Sequence, residues 1–316
     1  MREKIEMSNT KRQIINKCYD LKWNLRRIVH FPKNFSRIVE ILSSKKNSPK
    51  DYEYFLSIVI TLKNEARYIS EWIDYHLLTG VDHFYIYDNG STDDLQEVLS
   101  KYISEGVVTY QVWTGENQQL RIYEDALDKY KNETKWMAIL DADEFIVSMT
   151  KESIREFLNS QDEKVAQIIL GWMVFGSSGK LKYENGLVLD RFRMHADESW
   201  IADSKPIVKP DRFLSVPIPH WVDVLGRSVD ENGKLLTRYP QTNIITALPI
   251  SKTKFRINHY YSKSWEEFEN KRNRGFADHS GIERTKQDFL DHDQNVLSDS
   301  SIDVVIEQLK KIRRIK

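Results

Sequence analysis

Between residues 55 and 147 the chain alternates short apolar runs with helical patterns, and each run ends in polar residues. Residues 55–62 form a compact run rich in β-branched side chains, and further runs follow at 83–87, 107–112 and 136–140. The stretches between them, 65–78, 93–104 and 118–130, carry apolar residues at helical spacing. Strands separated by helices of this length predict βαβ units and a mostly parallel sheet with flanking helices, an α/β fold. Such sheets bind ligands outside the carboxyl ends of their strands. Three polar clusters fall there: 61–65 (Thr-Leu-Lys-Asn-Glu), 88–93 (Asp-Asn-Gly-Ser-Thr-Asp) and 141–144 (Asp-Ala-Asp-Glu).

The third cluster carries the most chemistry. Asp141, Asp143 and Glu144 lie between two apolar runs, where carboxylates need a positive partner, either a metal ion or a lysine or arginine. Asp141 and Asp143 are two residues apart, so an extended backbone points them the same way. Two such carboxylates can hold one hard divalent cation and leave room for phosphate oxygens. A solvated acidic turn is the plainer alternative. The other two clusters are also double. Asn64 and Glu65 can cap a helix or touch a nucleoside. Asn89-Gly90 is a turn signal, while Asp88 precedes the turn, where its carboxylate can accept hydrogen bonds from a ligand.

Charge is balanced overall, 47 Lys/Arg against 47 Asp/Glu, but unevenly placed. Residues 1–50 hold 13 Lys/Arg and 4 Asp/Glu, so an acidic body carries a basic end. Residues 11–43 read as helix, broken at Pro32, and 43–51 as a linker. A basic amphipathic helix suits an anionic membrane surface through residues 1–45, and equally a helix docked on the body. Cys18 is the only cysteine, which excludes an intrachain disulfide and suits a reducing compartment. The first thirty residues hold no uninterrupted apolar core of a signal peptide, and no apolar run approaches the roughly 20 residues of a membrane span. The expectation is a cytoplasmic protein, soluble or peripheral at the inner face of the cell membrane. Glycine-rich phosphate loops, zinc-ligand spacings and a nucleophile elbow are missing, and nothing beyond the basic ends suggests nucleic acid.

After residue 147 the pattern loosens. A strand at 165–174 leads into Phe175-Gly-Ser-Ser-Gly179, a loop permissive enough for close substrate approach. Segments rich in ligand-binding side chains follow at 191–195, 205–209 and 217–221. A strand over 255–261 ends in Asn258-His-Tyr-Tyr261. A helix over 264–274 carries a capping box, Ser264 with Glu267. An amphipathic helix closes the chain at 301–316.

The stretches 61–65, 71–93 and 136–145, with 175–179, 205–208 and 258–264 further on, resemble a GT-A glycosyltransferase. They are most similar to the family 92 and family 2-like group (domain of unknown function 23 type). The resemblance covers roughly residues 55–280. It implies a GT-A domain over 51–280, with a nucleotide-sugar half at 51–150 and an acceptor half at 151–280. Residues 1–50 would be a basic helical extension and 281–316 a helical tail.

The resemblance also implies a nucleotide-sugar donor (UDP-sugar expected), Mn²⁺ or Mg²⁺, and transfer to a glycan or lipid-linked glycan, with inversion expected. Carried onto this chain, Thr61, Asn64, Glu65 and Asp88 would line the nucleoside pocket. Asp141 would face the ribose or sugar and share the metal with Asp143, the main ligand, and with His259. Lys263 would meet the diphosphate. An inverting reaction needs a general base, for which Glu198 and Asp203 are the candidates, beside Asp197 and His195. Trp200 and Trp221 could stack on an acceptor sugar. Two rival readings are nucleotidyl transfer and an inactive, glycan-binding transferase fold. The sequence 61–65 stands where a nucleotidyltransferase carries a glycine-rich loop.

Overall fold

The computed structural model describes residues 34–44, 51–198, 200, 203–238, 249–273 and 284–314. Residues 11–33 of the helix expected over 11–43, and 45–50 of the linker expected over 43–51, therefore lie outside the described residues. In chain order, helix α1 (Phe35–Ser44) precedes the first strand, β1 (Tyr54–Leu62). Then come α2 (Ala66–Leu78), β2 (His83–Asp88), α3 (Leu95–Ser104), β3 (Val108–Val112), α4 (Gln119–Lys129) and β4 (Thr134–Ile139). This is the alternation legible in the sequence, with each boundary shifted by no more than two residues. The second half runs through β5 (Glu144–Ser148), α5 (Ile154–Asn159), β6 (Val165–Val174), α6 (Val188–Arg191), β7 (Met194–His195) and β8 (Ser204–Val208). It ends with β9 (Phe213–Ile218), β10 (Trp221–Val224), β11 (Arg227–Asp230), β12 (Phe255–His259), α7 (Trp265–Asn273), α8 (Lys286–His292), β13 (Leu297–Ser298) and α9 (Asp303–Arg313).

One large sheet runs β3-β2-β1-β4-β8-β6-β12-β5, with β11 also paired to β6. β1 lies between β2 and β4, parallel to both, and β2 is parallel to β3. Central parallel strands are covered on both faces and need continuous apolar sequence. Accordingly Leu56, Ile58, Val59 and Ile60 are fully buried. β8 enters antiparallel between β4 and β6, and β12 pairs parallel with β6 and antiparallel with β5. The sheet is therefore mostly parallel, with helices on its faces, as expected.

The pairing of β5 with β12 sets His259 opposite Glu144. This register carries a late-sequence histidine to the acidic turn between β4 and β5. α7 starts with the expected capping: Ser264 Oγ bonds Glu267 Oε2 at 2.6 Å and accepts from Glu267 N at 3.3 Å. Residues 284–314 differ from a separate tail. β13 pairs with β7, and Ile302, Ile306 and Leu309 join the main core. An amphipathic helix buries its apolar stripe wherever the body offers a matching face, and here Arg313 also reaches Ser70 at 3.1 Å. α1 docks on the body through Ile38 and Ile41, packed with Leu214, and leaves Phe35, Val39 and Leu42 about half exposed.

Candidate active site

The three loops after β1, β2 and β4 meet at one edge of the sheet. The first two are laced together. Asn64 Oδ1 accepts from Thr92 N at 2.7 Å, its own N–H donates to Ser91 Oγ at 2.9 Å, and Asp93 Oδ2 accepts from Ala66 N at 3.0 Å. Asp93 thus satisfies the first turn of α2, where Glu65 makes no side-chain cap. Asp88 is spent in the same lacing, with Oδ1 accepting from Ser91 N at 2.8 Å and Oδ2 from the Tyr110 hydroxyl at 2.6 Å. So Asn64 and Asp88 brace the loops. Glu65 is buried, and Thr61 Oγ1 is buried with no hydrogen-bond partner among the described residues.

At the third loop each acid meets a lysine from a distant segment. Asp141 Oδ2 lies 2.7 Å from Lys205 Nζ on β8, and Glu144 Oε2 lies 3.6 Å from the same nitrogen. Glu144 Oε2 also accepts from Asp141 N at 2.9 Å, closing the turn on itself. Asp143 Oδ2 lies 2.5 Å from Lys271 Nζ on α7, while its Oδ1 faces His259 Nε2 at 3.6 Å. Tyr260 N donates to the Asp143 carbonyl at 2.8 Å, tying the end of β12 to the turn.

Burial and charge compete at every one of these groups. Burial opposes ionisation of Asp143, but Lys271, His259 and Lys263 together hold its carboxyl well below the usual range. Glu144 goes the other way: burial pushes it well above the usual range, beyond what Lys205 offsets. Lys205 itself is raised, because Asp141 and Glu144 outweigh its burial. Burial lowers Lys271 to about 8, with Lys263 and Arg284 adding to the effect and Asp143 opposing it. Burial also lowers His259, leaving a neutral imidazole suited to ligation.

Beside the acids opens a pocket of about 330 Å³ lined by Asn64, Arg67, Tyr68, Tyr261, Lys263 and Lys271, among others. Lys263 Nζ stands 4.6 Å from the Tyr68 ring centre. Asn64 and Lys263 both hold left-handed backbone, at φ 55° and 51°. Such conformations cost about 1–2 kcal/mol in a residue with a Cβ and concentrate where loops are shaped for function. Three cationic side chains, Arg67, Lys263 and Lys271, outnumber the two carboxylates in its lining, Asp93 and Glu267, and suit a phosphate group.

On the far side of His259 stands Trp172, its ring centre 4.1 Å away, and beyond Trp172 stands His220 at 5.2 Å. His220 Nε2 lies 3.4 Å from Asp203 Oδ2, so the structure brings Asp203 into the row that begins at Asp143. Glu198 is not brought in. It is exposed, and the charge it acts on is that of Lys252. Trp221 is fully buried in a satellite core. The loop 175–179 is approached by its own chain: a Cβ on Gly176 would lie 2.5 Å from Asn295 Oδ1.

Sequence reasoning marked the segments that hold Lys205 and His220 without giving either residue a role, and gave none to Lys271 or Trp172. One signal was available for Lys205: a lysine inside the strand Ser-Lys-Pro-Ile-Val requires a buried partner. The motif described as glycosyltransferase family 92 matches residues 59–292. The chain belongs to glycosyltransferase family 92. A family 92 protein of Oryza sativa subsp. japonica is 26% identical over 221 residues, covering 68% of this chain and 35% of the relative. A family 92 protein of Ricinus communis is 24% identical and covers 68% and 37%. The chain thus spans about a third of the length of the curated relatives it matches. A galactan beta-1,4-galactosyltransferase of Arabidopsis thaliana is 32% identical over 131 residues, 38% of this chain and 26% of that protein. Among solved structures, S. aureus TarS in complex with UDP-GlcNAc is similar at 17% identity and a TM-score of 0.32, over 41% of this chain and 37% of that one. The family membership confirms the resemblance read from the motifs.

Proposed function

We propose that this chain transfers a sugar from a nucleotide-sugar donor to a hydroxyl of a glycan or lipid-linked glycan, with inversion. The observation that carries this reading is the convergence of Asp141, Asp143, His259, Lys263 and Lys271 beside one pocket at the carboxyl edge of the sheet. Family membership supports the reaction class. The galactosyltransferase named among the relatives makes UDP-galactose the first donor to test.

Among the described residues no three His, Cys, Asp or Glu side chains gather into a ready-made metal site. Asp143 Oδ1 and His259 Nε2 nevertheless face each other at 3.6 Å, and His259 Nδ1 has no hydrogen-bond partner among the described residues. That pair fits one Mn²⁺ or Mg²⁺ completed by diphosphate oxygens and water. Such a cation supplies Lewis-acid stabilisation of the charge that develops on the leaving diphosphate. The chain's own residues do the rest. Lys263 and Lys271 stabilise the same charge from the pocket side. Lys205 fixes Asp141 and the turn. Asp203 takes the proton from the acceptor hydroxyl as its oxygen attacks the sugar's anomeric carbon. Residues 1–45 are proposed to rest on an anionic membrane surface at the cytoplasmic face. Their net positive charge and the half-exposed Phe35, Val39 and Leu42 support this.

The test is release of uridine diphosphate from UDP-galactose with and without Mn²⁺. The wild type should release it, and Asp143→Ala should reduce release at least a hundredfold, the scale of losing one transition-state contact. Full metal-dependent activity in Asp143→Ala would refute the assignment.

A further inference from the structure

His220 occupies the turn between β9 and β10, with its ring edge-on to Trp172 at 84°. Its Nδ1 lies 2.9 Å from the carbonyl oxygen of Ser204. A carbonyl only accepts, so Nδ1 carries the hydrogen. In the neutral ring, Nε2 is then a bare lone pair, and it faces Asp203 Oδ2 at 3.4 Å. Two acceptors at that distance repel unless a proton lies between them. The bond from Nδ1 to Ser204 O fixes which nitrogen is turned to Asp203. Asp203 is itself fixed, with Oδ1 accepting from Ser204 N at 2.9 Å.

We propose that Asp203 and His220 act as one proton-sharing pair, in which His220 positions the Asp203 carboxylate and holds a proton against its Oδ2. The inference rests on the reading of Asp203 as general base and goes one residue beyond it. With the proton on Nε2, Asp203 is an ionised carboxylate whose outer lone pairs stay open to an acceptor. In the reaction the acceptor O–H bond breaks and its proton goes to Asp203. The acceptor oxygen bonds to the anomeric carbon, and the carbon–phosphate-oxygen bond breaks with its electron pair leaving on the diphosphate. The proton taken up is then free to pass to solvent, since nearly half of the Asp203 side chain is exposed.

The charged groups around His220 are suited to this sharing. Burial and the Lys205 ammonium hold the imidazole below its ordinary range, while Asp203 and the more distant Asp141 pull it back up. The net effect still lies below the ordinary value, and Asp203 is the foremost group opposing it. Trp172 stands between the pair and His259, its ring centre 5.2 Å from His220 and 4.1 Å from His259.

The experiment is a histidine-selective ¹⁵N NMR titration of the full chain, with His220 assigned by the signal lost in His220→Gln. In the wild type, Nδ1 should stay protonated throughout, and Nε2 should titrate. In Asp203→Asn the midpoint should fall by about one unit or more, the effect of losing a carboxylate within reach of the ring. An unchanged midpoint, or a neutral ring protonated on Nε2, overturns the pair. A second arm measures uridine diphosphate release from UDP-galactose against pH. His220→Phe should lower kcat about tenfold or more at unchanged donor KM, the loss expected for a base left without its positioning partner, and His220→Gln, which keeps a donor toward Asp203, should recover part of it. Equal activity in wild type and His220→Phe also overturns the proposal. If the wild type releases no diphosphate from any sugar nucleotide, the transferase reading fails, while the titration still decides the pair.

Discussion

Acidification from about pH 7 to pH 5 should remove about 2 kcal/mol of stability through one side chain, His76. It sits fully buried on α2, with Nδ1 2.9 Å from the Trp72 carbonyl and Nε2 accepting the Ile146 N–H at 3.3 Å. Its ring lies nearly parallel to Phe145, at 11° and 5.7 Å between centres. Every nitrogen is satisfied by the neutral Nδ1–H form. A second proton would point an N–H at another N–H in an apolar enclosure. Burial accordingly drives the pKa from its ordinary 6.5 to about 3, with the Trp72 carbonyl pulling weakly the other way. The folded value lies below the unfolded one, so between these pH values the unfolded chain binds more protons. Stability therefore rises with pH across that window and falls as the solution is acidified. At about pH 5 the solution is 1.5 units below the ordinary value, and at about 1.4 kcal/mol per unit the loss is about 2 kcal/mol.

Urea unfolding of wild type and His76→Gln at several pH values isolates this contribution. Burial also lowers His83 and His259, but they are present in both proteins and cancel in the difference. The wild type should lose stability more steeply than the variant below about pH 6.5, by up to about 1.4 kcal/mol per unit. Equal slopes would refute the argument, whatever the absolute stability of His76→Gln.

Other outcomes follow from named contacts. Lys205→Met should lower stability in urea unfolding by about 1–3 kcal/mol, because Asp141 and the buried Glu144 both lose the cation between them. Adding Glu144→Gln should return part of that, and a fully additive double variant would mean that the two side chains do not interact. Gly176→Ala should lower stability by about 1–3 kcal/mol, since the new Cβ would fall 2.5 Å from Asn295 Oδ1, and an unchanged melting temperature would show that the crossing segment yields. The full chain should float with phosphatidylserine vesicles and lose this when residues 1–45 are removed. Flotation unaffected by the deletion would end the membrane reading.

The half of the fold built from βαβ units was legible because its signals are local. The strands of 54–139 are short runs rich in β-branched and aromatic residues and the helices between them amphipathic stretches, so local pattern separates them. The second half gave weaker signals. β7, β11 and β13 are two to four residues long and exist only because a partner strand is present. The final helix was visible as a helix. That its Ile306 and Leu309 complete the main core was not, since an amphipathic pattern shows that a face must be covered without showing by what.

The acids at 141–144 show the same limit at the site. Their sequence context required a positive partner and left open whether it was a metal ion or a basic side chain. Lysines now stand on both aspartates, but they come from 64 and 128 residues away, beyond any local pattern. The two lysines are not equivalent. Lys205 is buried and held between Asp141 and Glu144, at 2.7 and 3.6 Å. Lys271 touches only one oxygen of Asp143 and lines the open pocket, while the other oxygen is turned to His259. A bound diphosphate would therefore meet Lys271 and the Asp143–His259 gap from the same side. Asp141 would meet it only through a carboxylate already held in place. On the proposed reading Asp143 shares the pocket side with Lys271, while Asp141, more exposed, is held by Lys205 on one oxygen; the tripeptide Asp-Ala-Asp does not contain that difference.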